Sequence, residues 1–137
     1  MIVGIGHDVF EVARMETQLR TEGASFRDQL FTPGEVAYCE CKRYPARHFA
    51  ARLAAKEALF KALAIDEGQV QRWREVEIRN EPSGRPRAVL HGLVRELAHA
   101  RRVDAIFISM SHTAALAAAT VVLESRTPPA PTREVPG

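Results

Sequence analysis

Residues 46–64 contain neither glycine nor proline, and eight of the nineteen are alanine. A segment of that composition commits to an α-helix, with Tyr44-Pro45 breaking the chain just before it. Phe49, Leu53, Phe60 and Leu63 mark its main buried side, while Glu57 and Lys61, one turn apart, share a different side. The small residues Ala50, Ala54 and Ala58 would let another group come close. Aromatic residues make up only 7% of the chain, so the core is expected to be built on thin, alanine-rich helices. A length of 137 residues suits one domain.

The rest of the sequence supplies shorter elements around this helix. Residues 2–9 read as a strand, with Val3, Ile5, His7 and Val9 on one face and Ile2, Gly4, Gly6 and Asp8 on the other. The two glycines beside Asp8 leave that face open to close approach. Residues 11–20 read as a helix with Val12, Met15, Glu16 and Leu19 on one stripe, ended at Glu22-Gly23. Residues 26–31 are short and half apolar. Thr32-Pro33-Gly34-Glu35 is a helix start, with a threonine cap, proline in the first turn and glutamate three residues after the cap; that helix runs to about Cys41. Residues 66–72 read as a loop. Residues 75–80 and 87–90 are two strands joined by a turn around Pro82, Ser83 and Gly84, and residues 93–100 are a helix. Residues 105–111 and 115–124 are two more strands joined at His112-Thr113, with Ser109 and Ser111 on one face and Ile106, Ile108 and Met110 on the other. Residues 1–124 therefore form one α+β domain. Residues 125–137, rich in proline and poor in apolar side chains, read as a disordered tail.

Composition excludes several classes. No apolar run approaches the ~20 residues that span a bilayer, and no secretory signal opens the chain. Cys39 and Cys41 stand too close for an easy bridge and are too few for a zinc site, which fits a cytoplasmic protein with reduced thiols. A net charge of +2 and the lack of an aromatic stacking platform argue against nucleic-acid binding. The charge is nevertheless unevenly spread: Lys42, Arg43, Arg47, Arg52 and Lys56 follow one another without an acidic residue, with His48 among them. Such a stretch is either a solvated helix face or an attractor of phosphate or an acidic partner.

Three clusters could carry chemistry. Asp8, at the end of the first strand beside glycines, suits a hard cation, since Mg²⁺ takes only one or two protein carboxylates and fills its other positions with phosphate and water; it equally suits loop hydrogen bonds. Glu57 and Lys61 form either a helix-surface pair or, facing a cleft, a carboxylate for a metal and an ammonium for a phosphate. Ser109-Met110-Ser111-His112-Thr113 is a polar turn, a phosphate-binding corner or a Ser/His nucleophile pair, although no G-x-S-x-G elbow surrounds either serine.

The order of these clusters resembles one family. Ile2-Val3-Gly4-Ile5-Gly6-His7-Asp8 is similar to the first motif of the holo-acyl-carrier-protein synthases, the small trimeric 4′-phosphopantetheinyl transferases. Residues 52–63, from Arg52 through Lys56-Glu57 to Lys61-Ala62-Leu63, resemble the family's signature helix, residues 73–78 the strand after it, and the Ser109–Thr113 cluster its closing S-x-S-H-T segment. The resemblance covers about residues 1–124.

It implies a fold, an antiparallel sheet packed with one long and several short helices, and an activity: transfer of the 4′-phosphopantetheine arm of coenzyme A to a serine of an apo acyl carrier protein, releasing 3′,5′-ADP, in fatty acid biosynthesis and lipid metabolism. It implies Asp8 and Glu57 as ligands of Mg²⁺ and, with Lys61, as the catalytic set. Arg52, Lys61, Ser111, His112 and Thr113 would bind coenzyme A, and Arg14, Arg20 and Arg27 the acidic carrier protein. The nucleophile is the carrier's serine, its proton passing to metal-bound water or to a carboxylate such as Glu57. The family's sites lie between subunits of a homotrimer, so His112 is expected to serve a neighbour's Asp8 and Glu57. Two departures stand out: His7 occupies a position that is often aliphatic in the family, and residues 66–69 are poorer in glycine than in relatives.

Overall fold

In the computed structural model of the protein, which describes residues 1–65 and 72–127, everything is arranged around the alanine-rich helix. The chain runs as β1 (Ile2–Glu11), α1 (Val12–Leu30), α2 (Pro33–Glu40), α3 (Pro45–Ala62), a 3₁₀ turn (Trp73–Glu75), β2 (Val76–Asn80), β3 (Pro86–Leu90), α4 (Gly92–Ala100), β4 (Ala105–His112) and β5 (Leu116–Glu124). Helix α3 starts at Pro45, where proline costs no helical hydrogen bond. It is buried on nearly every side, as befits a helix in the middle of a core. Strands β1, β5 and β4 cover one side of it, and α1, α2 and β2 the other.

The antiparallel three-stranded sheet has the order β1-β5-β4. Its inner face is made of small and aliphatic residues: Ala117, Ala119, Val121 and Leu123 of β5 are all buried. Gly4 and Gly6 of β1 explain how closely the sheet sits on the helix. A Cβ at Gly4 would lie 2.2 Å from the carbonyl oxygen of Ala62, and one at Gly6 only 1.8 Å from that of Ala58. The sequence signalled a close approach at these glycines, and the group that approaches is the backbone of α3. The outer face is different in kind. Ile5, Val9, Phe107 and Leu116 are about half or more exposed, and the register places Ile5, Val122 and Phe107 side by side across the three strands.

Helix α1 is two helices joined at a kink. Gly23 has φ 60° and ψ −136°, a conformation that residues with a Cβ avoid, so the expected stop at this glycine is present as a kink. The chain then re-enters helix, burying Phe26 and Leu30. Helix α2 starts with the expected capping box: the Thr32 hydroxyl accepts from Glu35 N, and Thr32 N donates to Glu35 Oε1 at 2.9 Å. Helix α4 has no side-chain cap of its own. The Glu75 carboxylate reaches over and accepts from the backbone N–H groups of Leu93 and Val94, an acidic partner at the positive end of the helix. The hairpin β2-β3 pairs Val76 with Leu90 and Asn80 with Pro86. Most of the expected loop at 66–72, including the glycine-poor 66–69, lies outside the described residues, as do residues 128–137 of the expected tail. Ser125 is buried, and its N–H donates to the carbonyl of Met1.

Candidate active site

Asp8 and Gly6 sit on the same face of β1, two residues apart, so the contact of Gly6 with α3 carries the Asp8 carboxylate to the helix. Asp8 is mostly buried, and its Oδ1 accepts from Lys61 Nζ at 2.9 Å. Lys61 also donates to the carbonyl oxygen of His7 at 3.2 Å. The other carboxylate oxygen, Oδ2, is buried without a hydrogen-bond partner, and an unsatisfied buried carboxylate oxygen is costly. Glu57 is half-buried and lies one turn before Lys61, so both side chains leave the same side of α3 and lean toward its N-terminus. His7 points the other way: its Nδ1 is 2.8 Å from the Thr120 hydroxyl, on the outer face of the sheet.

Lys56, next to Glu57 in sequence, belongs to the core. Its ammonium donates to Glu35 Oε1 at 2.7 Å, to the carbonyl of Trp73 at 2.9 Å and to that of Val76 at 2.6 Å. Burial pulls the Lys56 ammonium below its ordinary value, and the Glu35 carboxylate pulls the opposite way. Glu35 in turn accepts from Ile78 N at 3.1 Å. The pair thus ties α2, α3 and β2 together next to Glu57.

A second group gathers at the other end of α3. The imidazole of His112, at the end of β4, meets that of His48 with ring centroids 4.9 Å apart, and His48 meets Tyr38 edge-on at 6.0 Å. Lys42 and Arg52 lie over the Tyr38 ring at 4.6 Å and 4.0 Å. Arg52 is buried; it donates to Asn80 Oδ1, and its Nε has no partner. Burial lowers the His48 pKa first, and its neighbours His112, Lys42, Arg52 and Arg47 lower it further. Nine residues of helix, about 13 Å, separate His48 from Glu57. The structure therefore gathers His112, His48, Tyr38 and Arg52 into one group. Ser111 is exposed. The Thr113 hydroxyl serves the turn, accepting from Ala115 N and Leu116 N.

Of the arginines on α1, Arg14 stacks over Phe10 at 5.1 Å and is exposed. Arg20 is exposed and, with Leu19, Arg43, Tyr44 and Pro45, lines a largely apolar cavity of about 410 Å³. Arg27, beyond the Gly23 kink, is ion-paired to Glu40 at 2.7 Å. Sequence reasoning missed that Arg43 and Tyr44 flank Arg20, and that His48 pairs with His112; the run of cations from Lys42 was the signal for both. Among the described residues no three His, Cys, Asp or Glu side chains cluster as a ready-made metal site.

The structure is a helix-centred α+β fold that carries an Asp8–Lys61 pair and a separate cationic corner. The sequence matches the model of the 4′-phosphopantetheinyl transferase superfamily over residues 4–119, and the chain belongs to that family. It is 40% identical over 124 residues to a holo-[acyl-carrier-protein] synthase of Geobacter sp. (strain M21), covering 90% of this chain and 99% of that one. The structure is similar to that of holo-[acyl-carrier-protein] synthase from Neisseria meningitidis, with a TM-score of 0.83 and 26% identity over 91% of this chain and 100% of the other. It is also similar to the Helicobacter pylori synthase in complex with coenzyme A, with a TM-score of 0.77 and 28% identity over 88% and 99% of the two chains. The expected fold is the one observed.

Proposed function

We propose that this chain is a holo-acyl-carrier-protein synthase, which moves the 4′-phosphopantetheine arm of coenzyme A onto a serine of an apo carrier protein. The family match and the synthase relatives support the activity. The observation that carries the site is Asp8, with one oxygen held by Lys61 and the other buried without a partner.

That orphaned oxygen is what a hard cation would satisfy, and two carboxylates with open positions fit Mg²⁺. Asp8 and Glu57 would hold it. When bound, the cation supplies charge neutralisation at the pyrophosphate. The remaining chemistry belongs to protein groups. The carrier's serine hydroxyl attacks the phosphorus that bears the pantetheine arm; a new P–O bond forms, the anhydride P–O bond breaks, and 3′,5′-ADP leaves. Lys61, with its side chain half exposed, turns its ammonium to the phosphate oxygens on which charge builds. A carboxylate such as Glu57, or a metal-bound water, would take the serine proton.

Arg52, Ser111, His112 and Thr113 form the corner that receives the nucleotide end of coenzyme A. By the resemblance to a family whose sites lie between subunits, this corner would complete a neighbour's site rather than its own. The half-exposed Ile5, Val9, Phe107 and Leu116 on the outer sheet face are the surface through which copies pack into a homotrimer, since apolar patches of this kind mark interfaces. Arg14 and Arg20 meet the acidic carrier, and Arg27 reaches it only by leaving Glu40. No helix among the described residues is long and apolar enough to cross a membrane, and Cys39 and Cys41 are unbridged; both fit an enzyme working in the cytoplasm.

The test is direct. The protein is mixed with coenzyme A, Mg²⁺ and apo carrier protein, and the carrier's mass is followed for gain of the arm. Asp8→Asn and Glu57→Gln should abolish the gain and also weaken Mn²⁺ binding, read by paramagnetic resonance. Full activity in either variant would overturn the metal assignment, and no gain with several carriers would overturn the function. Phe107→Glu should yield a smaller species in light scattering, and an unchanged mass would overturn the assembly through this face.

A further inference from the structure

His48 was assigned no role by the motifs, yet it stands in the middle of the cationic corner. From β4, His112 faces it at 4.9 Å. From α2, Tyr38 faces it at 6.0 Å, with Lys42 laid over the far ring. From its own helix, Arg47 and Arg52 add charge, Arg52 lying 4.0 Å over the same tyrosine. Every charge that leads the field at His48 is positive. The Arg52 guanidinium is buried with one nitrogen unpaired. Positive groups gathered in this way, with an unsatisfied donor beneath them, call for an anion from outside the chain.

We propose that His48 is a further anion-binding residue of this corner, taking up a proton from solvent as the corner takes a phosphate dianion. This rests on the reading of the corner as the nucleotide subsite. The reason is a reversal of sign. With the corner empty, burial and then the cations Lys42, Arg52 and Arg47 oppose a charge on His48, which favours the neutral imidazole. A phosphate bound at His112, against the His48 ring, outweighs that repulsion and favours the protonated form of His48. His48 is half-buried while His112 is exposed, so the anion enters over His112 and sets its field on His48 behind.

The experiment uses the full chain and adenosine 3′,5′-bisphosphate. Calorimetry is run from pH 6 to pH 8 in two buffers of different ionisation heat, on the wild type and on His48→Phe, which preserves ring packing against Tyr38. The affinity ratio of wild type to variant is expected to grow several-fold as pH falls through this range, bounded by about tenfold per pH unit for one proton. The wild type is expected to take up more protons on binding than the variant. Comparing the two cancels the ligand's own ionisation and that of His112 to first order. In parallel, the His48 ring resonance of the wild type is titrated with and without nucleotide, which needs no variant to fold; its midpoint should rise on saturation. Intact binding with a pH-independent ratio, or an unmoved midpoint, overturns the role of His48 alone. Failure of the wild type to bind the nucleotide at any pH overturns the subsite reading together with this one.

Discussion

The Lys56 ammonium and the Glu35 carboxylate meet at 2.7 Å with both side chains fully buried. Neither keeps an unsatisfied charge, because backbone groups of Thr32, Trp73, Val76 and Ile78 complete the set. A buried pair of this kind contributes little net stability against an apolar replacement, but removing one partner strands the other. Lys56→Met is therefore expected to cost about 3–5 kcal/mol in urea unfolding. Adding Glu35→Gln to that variant should restore part of the loss, because no charge is then left stranded. A double variant as unstable as the sum of the singles would contradict this account.

Gly6 separates the role of space from that of propensity. A Cβ there would meet the Ala58 carbonyl at 1.8 Å, a backbone atom that cannot step aside. Gly6→Ala should destabilise by more than about 2 kcal/mol and also cut transfer, because Asp8 rides on the same strand face. Gly34→Ala is the contrast. Its Cβ would meet Glu77 at an ordinary 3.7 Å inside α2, where alanine is preferred by up to about 1 kcal/mol. Thermal melts of the two variants should move in opposite directions.

The parts of the fold that local chemistry dictates were legible. Pro45 and the glycine-free run after it marked α3, Thr32 to Glu35 wrote the capping box, and alternation placed β4 and β5. Gly23 was legible as a stop but not as a kink, because the restart depends on Phe26 and Leu30 finding a core. Long-range pairings had no local trace. Lys56 looked like one more cation in a basic run, since its carboxylate comes from 21 residues earlier, where Glu35 already had a role in the cap. His48 meets His112 only because β4 returns along α3. At the site, Asp8, Glu57 and Lys61 were readable through the family motif, while the unpaired Asp8 oxygen needed the structure.

The two cysteines should part company chemically. Burial pushes the Cys39 thiol up to about 12, so almost no thiolate exists at pH 8. Cys41 is exposed. Brief treatment of the folded protein with iodoacetamide, followed by digestion and mass spectrometry, should place one label on Cys41 and none on Cys39. After unfolding in urea both should react. Native labelling of Cys39 would show that α2 opens against α3 far more readily than its packing implies.

Glu77 gives the fold a defined acid sensitivity. Burial alone would raise its pKa, but hydrogen bonds from His91 at 3.1 Å, Arg79 at 3.0 Å and Thr32 at 3.0 Å outweigh it and hold the carboxyl below its ordinary 4.5. A carboxyl lowered by folding binds its proton more tightly in the unfolded chain. Its contribution to stability is thus fully present above about pH 4.5 and is lost as pH falls through the folded value. Glu77→Gln is expected to cost about 1 kcal/mol at pH 7, where the carboxylate that accepts these bonds is replaced by a neutral amide. It should cost progressively less toward pH 3, so the two stability curves converge in acid. Urea midpoints measured between pH 7 and pH 3 test this, and curves that stay parallel would assign the acid loss to other carboxylates.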